Sequence, residues 1–382
     1  GFIQRLQTGT WAGHIIEHIA IELQCLAGME VGYGKTLDTS KKGIYIVVFR
    51  YLVESAGLRA AKEAISLFEA VAQEKNFDVS QVISELKILR EDHMLGPTTW
   101  SIVKEAKYRG IPFIRLNDDS HIQLGYGANQ KQIQASITCH TSAIAVETAD
   151  EKTRVKAYLK RSGIPVPSGQ VVSTQEEAIA VFNEIGTPVV VKPDVGNHGN
   201  GSTINITNVD QLKKAFQAAQ AYHSDVIVEA YVEGDDFRFL VIDGKFIAAA
   251  RREPAHIIGD GKSSIKELIQ KINLDPLRGF GHEKALTQIE IDEMTERLLS
   301  LRGLSLGSIP VEKEMIYLKA TANLSQGGTA TDVTDEVSPD IRLMAERAAR
   351  IIGLDCVGVD ALAKDISLPL DPSGIKVVEV NA

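Results

Sequence analysis

The chain has 382 residues, 44% hydrophobic and 24% charged, enough for two or three domains with buried cores and ordinary for a soluble protein. Its formal charge of -9 and pI near 5.6 exclude the basic surface on which nucleic-acid binding depends. No apolar run reaches the roughly 18 to 20 residues that span a bilayer, and no signal pattern opens the sequence, so the expected setting is cytoplasmic, without a membrane partner.

Residues 1–92 read as a small α+β domain: a helix over 13–26, a strand-like segment over 43–53, then helices over 56–74 and 79–90. In the first helix, offsets of three and four residues put His14, Glu17 and His18 on one face. His-x-x-Glu-His is the pattern of inverted zinc peptidases, in which two histidines hold Zn2+ and the glutamate activates water. On that reading His14 and His18 are ligands and Glu17 is the base. Glu54, just past the strand-like segment, is the third ligand, with Glu22 as runner-up; a polar stripe on an otherwise buried helix is the plainer alternative. Gly32-Tyr33-Gly34-Lys35-Thr36 imitates a Walker loop, but Met29 stands where its first glycine belongs, so the stretch is read as a plain loop. Cys25, Cys139 and Cys356 form no CxxC pair and are expected to be small buried residues.

His93-Met94-Leu95-Gly96-Pro97 breaks the helical pattern and marks the start of a second domain, 93–382. Short elements alternate to about residue 142, including a strand-like 111–116. A charged amphipathic helix over 151–162 then stops at Gly163, and from there strands alternate with helices in an α/β or α+β pattern.

Four segments of this domain point to a nucleotide site. Lys152 opens the charged helix. Val189-Val190-Val191-Lys192-Pro193 is a buried strand that hands a lysine to Gly196-Asn197-His198-Gly199-Asn200-Gly201, whose glycines let backbone N–H groups approach phosphates. A plain glycine turn between two strands is the alternative for that segment taken alone. In the third segment, 226–238, an apolar strand runs through Glu229 into a hinge at Val232 that can meet an adenine edge, and Asp236 follows for the ribose hydroxyls. The fourth places Asp360 on one apolar strand and Glu379 and Asn381 on another, hard oxygen donors suited to Mg2+.

The order of Lys152, Lys192 with its glycine loop, the Glu229 hinge, Asp360 and Glu379-Val380-Asn381 resembles the ATP-grasp superfamily from about residue 95 onward. Gly13-His14-Ile15-Ile16-Glu17-His18, Gln123-Leu124-Gly125-Tyr126-Gly127, Asn197-His198-Gly199, Arg252-Glu253-Pro254-Ala255-His256 and Ala322-Asn323-Leu324-Ser325-Gln326-Gly327-Gly328 resemble the cyanophycin synthetases over essentially the whole chain. That resemblance implies an ATP-grasp fold preceded by the small α+β domain, and a ligase that uses ATP and Mg2+ to activate the carboxylate of a cyanophycin polymer or primer. Aspartate is then added through an acyl phosphate. It also implies a homo-oligomer, dimer or tetramer, and a further Mur-ligase-like domain after Ala382.

By family position, Lys152, Lys192, Gly199 and Gly201 hold phosphates, while Glu229, Val232 and Asp236 hold adenosine. Asp360, Glu379 and Asn381 hold the metal, and Lys319 and Asn323 face the transferring phosphoryl group, although lysine cannot reproduce the arginine fork of related ligases. Glu147, His198, Arg238, Ser325 and Thr98 contact polymer or acceptor. The same motifs suit a ligase that joins β-Asp-Arg dipeptides, and a non-catalytic peptide-binding module is the alternative from another class. For the N-terminal helix the resemblance implies a Zn2+ hydrolase that cuts polymer into primers.

Overall fold

The computed structural model describes residues 2–41, 43–195, 201–279 and 286–381. The chain forms two compact units, Gly1–Gly96 with Leu116–Ser120, and Pro97–Arg115 with His121–Ala382.

The first unit carries the helices Phe2–Thr8, Ala12–Leu26, Glu54–Ala72 and Val79–His93 and a hairpin of Gly34–Asp38 with Tyr45–Phe49. Leu23, Met29, Val53, Ala56, Ala60 and Leu86 form its core, where alanines let the helices approach closely. Two expectations are corrected. The Walker imitation is not a loop, because Gly34, Lys35 and Thr36 lie in the first hairpin strand. The second strand ends at Phe49 instead of 53, so Glu54 opens the following helix.

In the second unit the larger sheets are antiparallel, so α+β is the fitting class. A four-stranded sheet runs in the order Gly169–Val172, Val226–Ala230, Val189–Pro193, Thr203–Ile206. Val226–Ala230 is central and buried along nearly its whole length, which accounts for its unbroken apolar run. The helices Gln175–Ile185 and Val209–Gln220 cover this sheet through Phe182, Leu212 and Phe216. Thr174 and Glu177 start the first of them with reciprocal side-chain-to-backbone bonds.

A five-stranded sheet follows in the order Thr329–Asp332, Lys245–Glu253, Asp235–Ile242, Cys356–Ala363, Lys376–Asn381. Helix Pro339–Ile352 packs on it with Ile341, Met344, Ala345, Ala348 and Ile352, a stripe at helical spacing. Ser338 caps its start and Gly353, left-handed at φ 86°, its end. Helix Lys152–Arg161 packs into the same core through Val155 and Leu159. A small lobe holds the pair His256–Ile258 and Met315–Tyr317 with helices Ile265–Asn273 and Glu293–Leu301 around Ile257, Ile269 and Ile316.

The cysteine expectation fails: Cys25 and Cys139 are exposed and Cys356 is half-buried. Cys25 lies in the last turn of its helix and donates to the Val31 carbonyl at 3.2 Å, a local bond in place of core packing. Among the described residues no helix is long and apolar enough to cross a membrane.

Candidate functional site

The pairing of Val226–Ala230 with Val189–Pro193 sets Ile227 opposite Lys192, which leaves Glu229, two residues on, diagonal to Lys192 on the same face. Lys192 Nζ accordingly meets Glu229 Oε1 at 2.6 Å. Helix Lys152–Arg161 contributes Lys152 and Lys156, one turn apart on one face. Lys156 Nζ donates to Glu229 Oε2, and Lys152 Nζ lies 3.9 Å from Glu379 Oε1. The helix start is tied to the end of the lysine-bearing strand, where Asp194 accepts from the Thr153 amide at 3.2 Å and hydroxyl at 2.6 Å.

The two ammonium groups on Glu229 titrate in opposite directions. Burial, followed by the charge of Lys192, pulls Lys156 down to about 8. Burial would lower Lys192 as well, but the charge and hydrogen bond of Glu229 outweigh it and hold Lys192 above its ordinary value. One carboxylate cannot fully compensate two buried cations, so one of them titrates early. Burial would raise Glu229, yet Lys192 and then Lys156 keep it below the carboxylate range. Burial also lowers Lys152.

In the five-stranded sheet, register places Arg238 opposite Asp360, Asp360 opposite Glu379, and Asp236 opposite Arg252. Arg238 grips Asp360 with both ends of its fork, Nε to Oδ1 at 2.6 Å and Nη2 to Oδ2 at 2.8 Å. Gly358 makes room for this: a Cβ there would lie 3.3 Å from Arg238 Nε. Arg252 Nη2 and Asn381 Nδ2 approach Asp360 Oδ2, each at 3.3 Å, and Arg252 bonds Asp236 Oδ1 through Nε at 2.8 Å and Nη2 at 2.6 Å. Burial pushes the Asp236 carboxyl up despite Arg252. The carboxylates and carboxamide of Asp360, Glu379 and Asn381 on adjacent strands are a donor set that fits Mg2+.

Glu229, expected at the hinge, turns to the lysines. Beyond it the Ala230 and Tyr231 amides donate to Ser168 and Pro188 carbonyls at 2.8 and 3.0 Å, and Val232 lines a cavity with Pro167, Pro188, Tyr231, Lys364 and Lys376. Lys319 is buried and donates to Asp292 Oδ2 at 2.6 Å. Asp292 caps helix Glu293–Leu301, and although burial raises its carboxyl, the bonds from Lys319 and from the Thr295 amide and hydroxyl together outweigh this and hold it at about 2. The Asn323 carbonyl accepts from the Gln326 and Gly328 amides at 3.1 Å each, beside the exposed Ser325. Glu147 and Thr98 are exposed on helices Ala143–Asp150 and Pro97–Tyr108. His198 and Gly199 lie outside the described residues; Gly201 has φ 71° and packs against Tyr222.

In the first unit, ligand atoms of His14, Glu17 and His18 lie within 4.8 Å of one another. Glu17 Oε2 accepts from Thr36 Oγ1 at 2.6 Å, and Gly34 permits the approach, since a Cβ there would stand 2.7 Å from Glu17. Arg5 Nη1 lies 3.3 Å from His14 Nε2. Arginine only donates, so His14 Nε2 accepts and Nδ1 carries its proton toward Glu17 Oε2 at 3.4 Å. Burial, then His14, lowers His18 and favours the neutral ring that ligates metals. Glu54, expected as the third ligand, is exposed at the start of its helix, and neither it nor Glu22 is among the three residues so clustered. With the strand ending at Phe49, Glu54 opens a helix.

Sequence reading missed Lys156, Arg252, Asp194 and Asp292. Lys156 had a signal, its spacing of four from Lys152; Arg252 had only its place in a motif.

A family model described as the cyanophycin synthase-like N-terminal domain matches residues 1–73, and one for the RimK-like ATP-grasp domain matches 149–267. The chain is 47% identical to a cyanophycin synthetase of Trichormus variabilis over 100% of its own length and 43% of the relative. It is 42% identical to that of a Synechocystis strain over 100% of its length and 44% of the relative. It therefore spans less than half the length of these curated relatives. Among solved structures, a bifunctional glutathione synthetase from Pasteurella multocida matches with 27% identity and a TM-score of 0.58, covering 86% of this chain and 48% of that one. The chain thus joins a match to the cyanophycin synthase-like N-terminal domain with a match to the RimK-like ATP-grasp domain, and its second unit is of the ATP-grasp fold.

Proposed function

We propose that the chain catalyses ATP-dependent extension of a cyanophycin polymer or primer, adding aspartate to its backbone. The terminal carboxylate attacks the γ-phosphorus, ADP leaves, the incoming amine attacks the acyl carbon, and phosphate departs as the amine gives up a proton. Lys152 and Lys192, joined by Lys156, offset phosphate charge with the backbone of Gly199 and Gly201. Asp360, Glu379 and Asn381 would hold Mg2+, which when bound neutralises charge on the transferring phosphoryl group. Val232 and Asp236 take adenosine. Lys319 and Asn323 face the phosphoryl group, and Arg238, His198, Glu147, Ser325 and Thr98 contact polymer or acceptor. The observation that carries this reading is the 3.9 Å approach of Lys152 to Glu379, which sets phosphate-binding cations against metal-binding carboxylates. Support for a homo-oligomer and for a cytoplasmic setting comes from the resemblance to cyanophycin synthetases, and the same motifs suit a β-Asp-Arg dipeptide as the incoming unit.

Primer-dependent ADP release tests the reading. The Asp360→Asn, Glu379→Gln double variant is expected to lose it at any substrate concentration while the wild type retains it. Activity of the double variant at ordinary Mg2+ contradicts the metal assignment, and a wild type inert with every primer favours the peptide-binding module.

The His14, Glu17, His18 cluster favours a second activity, a Zn2+ hydrolase that cuts polymer into primers with Glu17 as base. The expected result is bound zinc in the purified protein and chain cutting without ATP that Glu17→Ala abolishes. Absence of zinc, or cutting that persists in that variant, contradicts it.

A further inference from the structure

The carboxylate assigned to the metal is already compensated by the chain itself. Arg238 occupies both oxygens of Asp360, while Arg252 and Asn381 approach the second one. Around this point Asp236, Asp360 and Glu379 supply three negative charges, and Arg238, Arg252 and Lys152 supply three positive ones. The cluster therefore offers a bare divalent cation no net charge. Inner-sphere coordination by Mg2+ at about 2.0–2.1 Å must compete for carboxylate oxygens, each of which already accepts a bond from this guanidinium.

The two arginines are held differently. The Arg252 side chain is 13% exposed and fastened to Asp236 by two short bonds; that of Arg238 is 43% exposed, and its short bonds go to Asp360. Arg238 is the one that can leave by side-chain rotation.

We propose that Arg238 is a built-in counter-cation that competes with Mg2+ for Asp360, so that metal loads on this carboxylate only together with nucleotide phosphates. The phosphates supply the missing negative charge. The displaced fork is then free to pair with an oxyanion of the reacting groups, for which its two parallel donors are suited. Metal loading and release of this substrate-facing arginine become one event. The inference rests on the metal role given to Asp360 under the proposed function.

Mn2+ alone is the probe, with free Mn2+ read by electron paramagnetic resonance and Mg2+ used as competitor. Arg238→Ala is expected to bind Mn2+ without nucleotide roughly tenfold or more tightly than wild type, since a unit charge at contact distance is removed. Adding Asp360→Asn to that variant should abolish the gain. Arg238→Lys, which keeps the charge and loses the fork, should fall between; it carries the test if thermal melting shows Arg238→Ala unfolded. With ADP present, wild-type metal affinity should rise toward that of Arg238→Ala. Equal Mn2+ affinity in wild type and Arg238→Ala without nucleotide overturns the proposal, as does a gain that survives Asp360→Asn. A wild type that takes up no metal even with ADP instead overturns the metal role of Asp360.

Discussion

Lys156 and Lys192 share one counter-charge, so while both are protonated the trio with Glu229 carries one net positive charge for a phosphate to meet. Lys156, buried beside Lys192 and Glu229, titrates at about 8, so that charge is present below this value and lost as pH rises through it. ATP affinity is therefore expected to fall between about pH 7 and about pH 9, and Lys156→Met should be weaker at neutral pH and flat across the range. A wild-type Kd that ignores pH, or a variant that keeps the fall, contradicts this. The effect on stability has the opposite sign. The folded pKa lies below the ordinary 10.5, so the folded chain binds fewer protons between the two values and this lysine's contribution to stability rises with pH there. Lys192→Ala leaves Glu229 to Lys156 and is expected to reduce primer-dependent ADP release on the order of 100-fold or more with the fold intact, checked by circular dichroism. Near wild-type turnover would remove its phosphate role. Lys192, Asp360 and Glu379 stand out in the sequence because each interrupts or bounds an apolar run, and Lys152 by its place in the order the resemblance implies. Lys156 was not, because on a charged helix a lysine looks like solvated surface, and only packing against Glu229 buries it.

Asp235–Ile242 joins Lys245–Glu253 as an antiparallel hairpin through an Asp243-Gly244 turn, both residues at positive φ. Counting outward from Ile242 opposite Lys245 would put Arg251 across from Asp236. A bulge between Leu240 and Val241 shifts the register so that Arg252 stands there instead. An irregularity of that kind has no sequence signature, which is why Arg252 was passed over while Arg238 and Asp360 were found. Gly234, where the hinge enters this sheet, sits at φ 144°, and a Cβ on it would lie 2.4 Å from the Ala363 backbone. Gly234→Ala should therefore cost at least about 2 kcal/mol by denaturant unfolding and weaken nucleotide binding, since the hinge must move away from Cys356–Ala363. A neutral substitution would show that the strand ends are slack.

At the scale of the whole chain, His93-Met94-Leu95-Gly96-Pro97 breaks the helical pattern, while the first compact unit is Gly1–Gly96 with Leu116–Ser120, a segment no local pattern assigns to it. Long periodic helices such as Glu54–Ala72 and Val79–His93 were plain, whereas the end of the strand before them was placed four residues late. The central claim is the proposed one, that a single site holding Lys152, Lys156, Lys192, Asp360 and Glu379 extends a primer by one amino acid per ATP. Supplying the protein with ATP, Mg2+ and a short primer, together with aspartate, arginine or β-Asp-Arg dipeptide in turn, and weighing the products tests it most directly. The expected result is ADP in step with primers heavier by one aspartate residue, and no extension with arginine alone. Extension only with the dipeptide, or ATP left intact in every mixture, would contradict the account.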